Sequence, residues 1–246
     1  MSFSMQKFTA IFQMKLSTIL KNRNIMIVPL MALGFVILMG ALMPHQDTHE
    51  IGMTKEGFLL GFGLSFNIIM GGIMMTSYPL AEEKEKKTLR VLMTSSVTNL
   101  EFFFASLLPP LLVMTVVNIL LIPAANLSFS DIPLITYFLM TTICGAISLI
   151  IGLIIGLTAK DQMQAGLIGM PVMLVLTLLP NFAALNQAIG KISIFTYPGV
   201  LNKFVQSALM GIDYSWNLKD SLVLLVWLII SSLIFMSAYK KNGLDD

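Results

Sequence analysis

A chain of 246 residues that is 56% hydrophobic and only 11% charged, with a mean hydropathy of +0.85, cannot cover itself with a solvated surface. Water-soluble domains carry roughly 25% charged residues, so this composition excludes a soluble globule and points to a membrane protein. The net charge of +2 says little about partners, and no nucleic acid is expected among them. The single cysteine, Cys144, excludes an internal disulfide and a paired-cysteine metal site, and reads as a small buried apolar side chain.

In chain order, residues 5–20 place Phe8, Phe12, Leu16 and Ile19 on one helical stripe, with Ile11 and Leu20 beside it. Gln6, Lys7, Gln13, Ser17 and Lys21 lie elsewhere. The pattern predicts an amphipathic interfacial helix over 1–22, lying on the inner leaflet. Six apolar runs follow, each near the roughly 20 residues that cross a bilayer: 25–43, 57–80, 100–125, 133–158, 163–184 and 221–239. No Asp, Glu, Lys, Arg or His lies in their interiors, and Glu101 sits at the edge of the third. The first run ends at Pro44-His45 with no small-residue cleavage pattern, so it reads as an uncleaved span rather than a signal peptide. Residues 186–220 are moderately apolar but interrupted by Gly190, Pro198-Gly199 and Gly211, which predicts short re-entrant or interfacial helices before the sixth span. The fold class is all-α integral membrane. It forms one domain over 1–246, with a six-span bundle over 23–246.

Lys and Arg set the orientation. With the N-terminus inside, the cytoplasmic side holds Lys7, Lys15, Lys21, Arg23, Lys84, Lys86, Lys87, Arg90, Lys160, Lys240 and Lys241. The outer side holds Lys55, Lys191, Lys203 and Lys219, which completes the 15 basic residues. Both termini are therefore expected in the cytoplasm, in a multi-pass protein of the plasma membrane.

The loop at 81–98, between the second and third spans, is the charge-dense stretch of the chain. Glu82 and Lys86, and Glu83 and Lys87, stand four apart with Glu first, the favourable order on a helix. Leu89, Leu92 and Met93 form an apolar edge behind them. A short amphipathic helix is expected at the cytoplasmic surface, where a soluble partner could grip it. The bland alternative is a solvated, positively charged inner loop.

The pattern Glu82-Glu83-x-x-x-x-Thr88-Leu89-x-x-Leu92-x-x-x-x-Val97, placed between the second and third of six spans, resembles the signature of ABC-2-type transporter permeases. The N-terminal amphipathic helix and the broken apolar segment before the last span are similar to that family too. This chain carries Lys87 where the family usually has Gly before the Thr-Leu pair, and Glu101-Phe102-Phe103-Phe104-Ala105 where a Lys commonly follows the motif. The resemblance implies that Ala81 to Val97 contain a coupling helix that docks on a separate ATPase subunit. Glu82, Glu83, Lys86, Thr88, Leu89, Leu92, Met93 and Val97 are then the coupling residues. It also implies a complex of two membrane subunits, identical or paralogous, with two ATPase subunits, working as an exporter.

This chain has no phosphate-cradling loop. The nearest string, Gly190-Lys191-Ile192-Ser193, has Leu185 where the first Gly belongs and Ile192 where Ser or Thr is required. No cofactor is expected on this chain itself, and ATP and magnesium would sit on the partner. Spans without ionisable groups weigh against an ion-coupled carrier. Asn67, Asn118, Thr141, Thr142 and Ser148 offer uncharged polar groups, for a transport pathway or for interhelical hydrogen bonds. Gly145, Ser148, Gly152 and Gly156 form a small-residue stripe suited to close helix packing. Gly71-Gly72 and Pro109-Pro110 are candidate bends. His45, Asp47, His49 and Glu50 cluster after the first span and read as a solvated turn rather than a metal site.

An intramembrane hydrolase of the Glu-Glu-x-x-x-Arg type is a rival reading. It would need Arg where Lys87 stands and a His inside a span, and neither is present. A non-transporting immunity or assembly protein of the same fold would keep the loop but show no ATP-dependent flux. The expected cargo of an exporter is apolar or amphipathic: a peptide such as a bacteriocin or toxin peptide, with a hydrophobic drug as second choice.

Overall fold

The computed structural model describes residues 4–43, 54–88, 98–183, 186–210, 214 and 217–242, and among these the regular elements are all helical. They are α1 (Met5–Lys21), α2 (Arg23–Leu42), α3 (Lys55–Glu85), α4 (Asn99–Ala124), α5 (Leu134–Thr158), α6 (Gln162–Asn181), α7 (Gln187–Ser193), α8 (Tyr197–Leu209) and α9 (Leu218–Asn242). A single 3₁₀ turn, Phe129–Asp131, joins α4 to α5. Six of the helices, α2, α3, α4, α5, α6 and α9, are long and apolar enough to cross a membrane. They match the six expected spans to within a few residues at most ends. Span two runs further than expected at its C-terminus, because Ala81–Glu85 continue the helix.

The chain alternates up and down, so the bundle has two ends. One carries α1, the other α7 and α8. Span two, α3, is the axis: 72% of its apolar window is buried, against 28% for α2, 33% for α6 and 17% for α9. In lipid the apolar effect does not pull spans together, so close backbone approach and internal polar bonds must do so. Glycine provides the approach. A Cβ on Gly152 of α5 would collide with the Ile73 carbonyl and Thr76 Oγ1 of α3, and one on Gly156 would lie 2.9 Å from the Ser77 carbonyl. Thr76 Oγ1 donates across the same seam to the Leu149 carbonyl at 2.8 Å. The Gly152–Gly156 part of the small-residue stripe of span four is thus the contact with span two, while Gly145 faces Met114 and Leu111 of span three.

Span two is not uniform. Residues Phe66–Gly71 are π-helical, closing with the Gly72 N–H on the Asn67 carbonyl. The extra residue per turn gives this stretch a local bulge. Gly71-Gly72 mark the return to α-helix. At the other candidate bend, Pro109-Pro110, α4 continues as one helix.

Helix ends are closed by specific groups. At the α8 end, Lys55 Nζ donates to the Gly40 and Met43 carbonyls and caps α2. At the α1 end, Lys84 Nζ caps α5 through the Leu157 carbonyl at 2.6 Å and the Ala159 carbonyl at 3.0 Å. A cation at a helix C-terminus also complements the helix dipole.

The α1 stripe is rotated from its expected setting. Ile11, Lys15 and Ile19 form the buried row, with Phe8, Phe12 and Leu16 half-buried beside it. The helix packs on α4, with smaller contacts to α2 and α3. The expected re-entrant stretch forms two short helices. Gly190 lies inside α7, and the break falls at Ile194–Thr196, where Thr196 caps α8 by accepting from the Gly199 N–H. Gly199 has no room for a side chain, since a Cβ would strike the Ser193 carbonyl. Gly211, and the cluster of His45, Asp47, His49 and Glu50, lie outside the described residues.

Replacing Gly152 with Val should lower stability by about 2–3 kcal/mol, because backbone of α3 must retreat. Loss of monodisperse protein in detergent size-exclusion chromatography, at a temperature where the parent survives, checks this.

Candidate functional site

The root of the loop between spans two and three lies at the α1 end, where four elements converge. Glu82 accepts from Lys86 Nζ at 2.6 Å, the expected pair one turn apart. That hydrogen bond pushes the Lys86 pKa up from its ordinary value. The second expected pair, Glu83 with Lys87, does not form. Lys87 has φ 58, in the left-handed region, so it leaves the helix instead of lying above Glu83. Its N–H donates to the Lys84 carbonyl at 3.0 Å, and Thr88 Oγ1 donates to the Glu83 carbonyl at 3.1 Å. Together they stop the helix in the manner of a left-handed cap, the position that favours Gly.

Glu83 instead meets Lys15 of α1, with Nζ 2.5 Å from Oε1. Lys15 is 5% exposed, and its ammonium stands 5.1 Å from the Phe102 ring centroid of α4. The second carboxylate oxygen, Glu83 Oε2, is buried and has no hydrogen-bond partner among the described residues. Across the loop, Thr98 and Glu101 form a capping box at the start of α4. The fully buried Glu101 accepts from the Thr98 N–H at 2.7 Å and from the Ser4 N–H, just before α1, at 2.6 Å. Leu89, Leu92, Met93 and Val97 lie outside the described residues, and most of the expected surface helix lies there with them.

The polar residues of the spans sit in the core. Asn67, at the π-helical stretch, donates to Asn118 Oδ1 at 2.8 Å and to the Met114 carbonyl at 3.2 Å. Tyr137 Oη of α5 donates to the Asn118 carbonyl at 2.6 Å. Thr141 Oγ1 donates back to its own helix, to the Tyr137 carbonyl at 2.8 Å. Ser148 Oγ and Tyr197 Oη bond at 2.8 Å, joining α5 to α8.

A groove of about 620 Å³ opens between the α1-end halves of α2 and α6. Met74 and Tyr78 of α3 form its floor, Met163, Leu167 and Met170 of α6 line one wall, and Ile27 of α2 the other. Asn24 and Gln162, at the starts of α2 and α6, add polar groups. Methionine side chains suit an apolar surface that must adapt to varied shapes.

At the other end, α8 bridges spans two, five and six. Asn202 Nδ2 donates to the Pro180 carbonyl of α6, Gln206 Nε2 to the Gly57 carbonyl of α3, and Lys203 pairs with Asp220 of α9 at 2.8 Å. Tyr214 Oη also donates to Asp220, and burial pushes the Tyr214 pKa up, so that the hydroxyl stays a donor.

Sequence reasoning missed Lys15, although a signal was present: a cation at the middle of an Ile11-x-x-x-Lys15-x-x-x-Ile19 row belongs to the packed face. No sequence pattern marked Lys84 as a cap for a different helix.

The comparisons with known proteins bear on this arrangement. No curated protein matches the chain. The family described as ABC-2 type transporter matches residues 6–214, which include α1, the loop root, five of the six spans, α7 and α8. Its members are the membrane subunits of ABC transporters, multi-pass proteins that associate with an ATPase subunit. With 6–214 matched in a chain of 246 residues whose described part forms six apolar helices, the chain belongs to the ABC-2 type transporter family.

Proposed function

We propose that this protein is the permease subunit of an ATP-driven exporter of the plasma membrane. The α1 end faces the cytoplasm, as the bias of Lys and Arg supports, and both termini lie there. Two ATPase subunits dock at that end, and the permease pairs with a second copy or a paralogue. ATP and magnesium belong to the partner.

The observation that carries this reading is the bracing of the loop root. Over six residues, Glu83 is tied to α1, Lys84 to the C-terminus of α5, and Lys87-Thr88 close α3 itself. A push on Glu82, Glu83, Lys86, Thr88, Leu89, Leu92, Met93 and Val97 would thus reach spans two and four and, through α1, spans one and three. ATP binding closes the ATPases, the segment moves, and spans one, two and five rearrange. Hydrolysis resets them.

The cargo is apolar or amphipathic. The groove between spans one and five, floored by span two, supports this: its walls are Met, Leu and Ile, and its polar groups come from Asn24, Gln162 and Tyr78. A peptide of bacteriocin or toxin type fits, with a hydrophobic drug as second choice. Asn67, Asn118 and Tyr137 join spans two, three and four on this reading, through the Asn67 amide N–H groups and the Tyr137 hydroxyl, and Thr141 braces its own helix; Asn67 Oδ1 is buried without a hydrogen-bond partner among the described residues.

Replacing Leu89 and Leu92 together with Asp should abolish stimulation of the partner's ATP hydrolysis while leaving the permease inserted. Unchanged stimulation in the reconstituted complex would refute the coupling assignment. A member of the fold that does not transport would show no ATP-dependent flux in either form. Filling the groove with Gly166→Phe, beside Tyr78, should weaken uptake of a hydrophobic dye into inverted vesicles roughly tenfold, about 1.4 kcal/mol of binding. Dye uptake at the parent rate would move the pathway elsewhere.

A further inference from the structure

Lys15 is an expensive choice for its position. Ile11 and Ile19 lie one turn to either side on the same buried row, so an aliphatic side chain would complete the packing. A buried ion pair contributes little net stability over an apolar replacement. The ammonium is nevertheless held at the junction of three elements: its own helix, Glu83 near the end of span two, and Phe102 in the first turn of span three. Glu83 and Phe102 stand on the two roots of the coupling loop. Near the N-terminus of the same helix, the Ser4 N–H is held by Glu101, again on the span-three root.

Helix α1 is therefore fixed to the loop roots at two places. Ser4 and Lys15 are eleven residues apart, roughly 16 Å along a helix. A rod fastened at two points resists rotation as well as translation. At its other end α1 meets span one through a single residue. Asn22 is the C-cap of α1 and the N-cap of α2, with its N–H on the Thr18 carbonyl and its side chain accepting from the Asn24 N–H. No slack chain separates the two helices, so displacement of α1 is displacement of the start of span one.

We propose that Lys15 is a positioning residue for ATP coupling: it ties α1 to both roots of the segment between spans two and three, so that movement of that segment is delivered to span one. This rests on the reading that the segment meets the ATPase. Glu83 Oε2 has no partner among the described residues, so the Lys15 ammonium is the donor the described chain brings to this carboxylate. Removing the ammonium unfastens the span-two root while α1 keeps its apolar contacts.

The test uses the reconstituted permease with its ATPase, spin-labelled at cysteines replacing the exposed Leu38 of span one and Val175 of span five. Cys144 is buried and stays unlabelled. The parent should show a change in label distance between the nucleotide-free and ATP-bound states. Lys15→Met should lose that change. The permease-stimulated kcat of the ATPase should fall roughly tenfold, with KM for ATP unmoved. Lys15→Arg should keep both signals, and the exchanged pair Lys15→Glu with Glu83→Lys should recover them. A full distance change in Lys15→Met, or an exchanged pair no better than Lys15→Met, overturns the proposal. If Lys15→Met does not reach the membrane, Glu83→Ala, which leaves the ammonium no side-chain acceptor, carries the test, and a full distance change there overturns it equally. A parent complex with no stimulated hydrolysis and no distance change would instead remove the coupling reading on which the proposal stands.

Discussion

Everything in this bundle depends on how closely span four lies against span two. The α5 backbone at Gly152 and Gly156 comes within side-chain distance of the Ile73 and Ser77 carbonyls, and a Cβ at either glycine would collide with them. That contact makes α3 an axis instead of one helix among six. It also brings the end of α5 near enough for Lys84 to reach the Leu157 and Ala159 carbonyls. The cap is possible only because the seam is tight along its length. The same closeness allows Thr76 to donate to Leu149 across the interface, a bond that no aqueous group competes for.

With the axis fixed, the polar groups divide by depth. In the middle, Asn67, Asn118 and Tyr137 connect spans two, three and four by short hydrogen bonds, and the π-helical stretch brings Asn67 into that network. At the ends the groups are charged: Lys15 with Glu83 at one, Lys203 with Asp220 at the other. The charge lies where a helix stops or a loop begins. Burial of an ion pair is tolerable there because the ends lie near water and carbonyls need donors.

Much of the fold was legible in the sequence because lipid imposes simple rules. Twenty apolar residues in a row, an absence of charge, and a bias of Lys and Arg need no tertiary information. The six spans and the glycine stripe follow from them. Rotation is harder to read. The expected α1 stripe runs through Phe8, Phe12 and Leu16 to Ile19, but the buried row is Ile11, Lys15 and Ile19, with Lys15 meeting a carboxylate and a ring that no pattern within α1 announces. The Glu83–Lys87 pair failed for a related reason: i,i+4 reasoning holds only while the helix continues, and it stops between those residues.

That stopping point also sets the backbone that Lys87 must adopt. The position before Thr88 requires φ near 58, and Gly adopts it freely. Lys87 adopts it at a cost of roughly 1–2 kcal/mol. The conformation is retained because the surroundings determine it: the Lys84 carbonyl takes the Lys87 N–H, the Glu83 carbonyl takes Thr88 Oγ1, and the Glu83 side chain is held by Lys15. The Thr of the motif is therefore part of the helix stop as well as of the segment that follows. Family patterns of this kind record a backbone requirement as much as a contact surface. In this chain the exit from span two is sharp, and hydrogen bonds hold Lys87 in a backbone region that glycine adopts more freely.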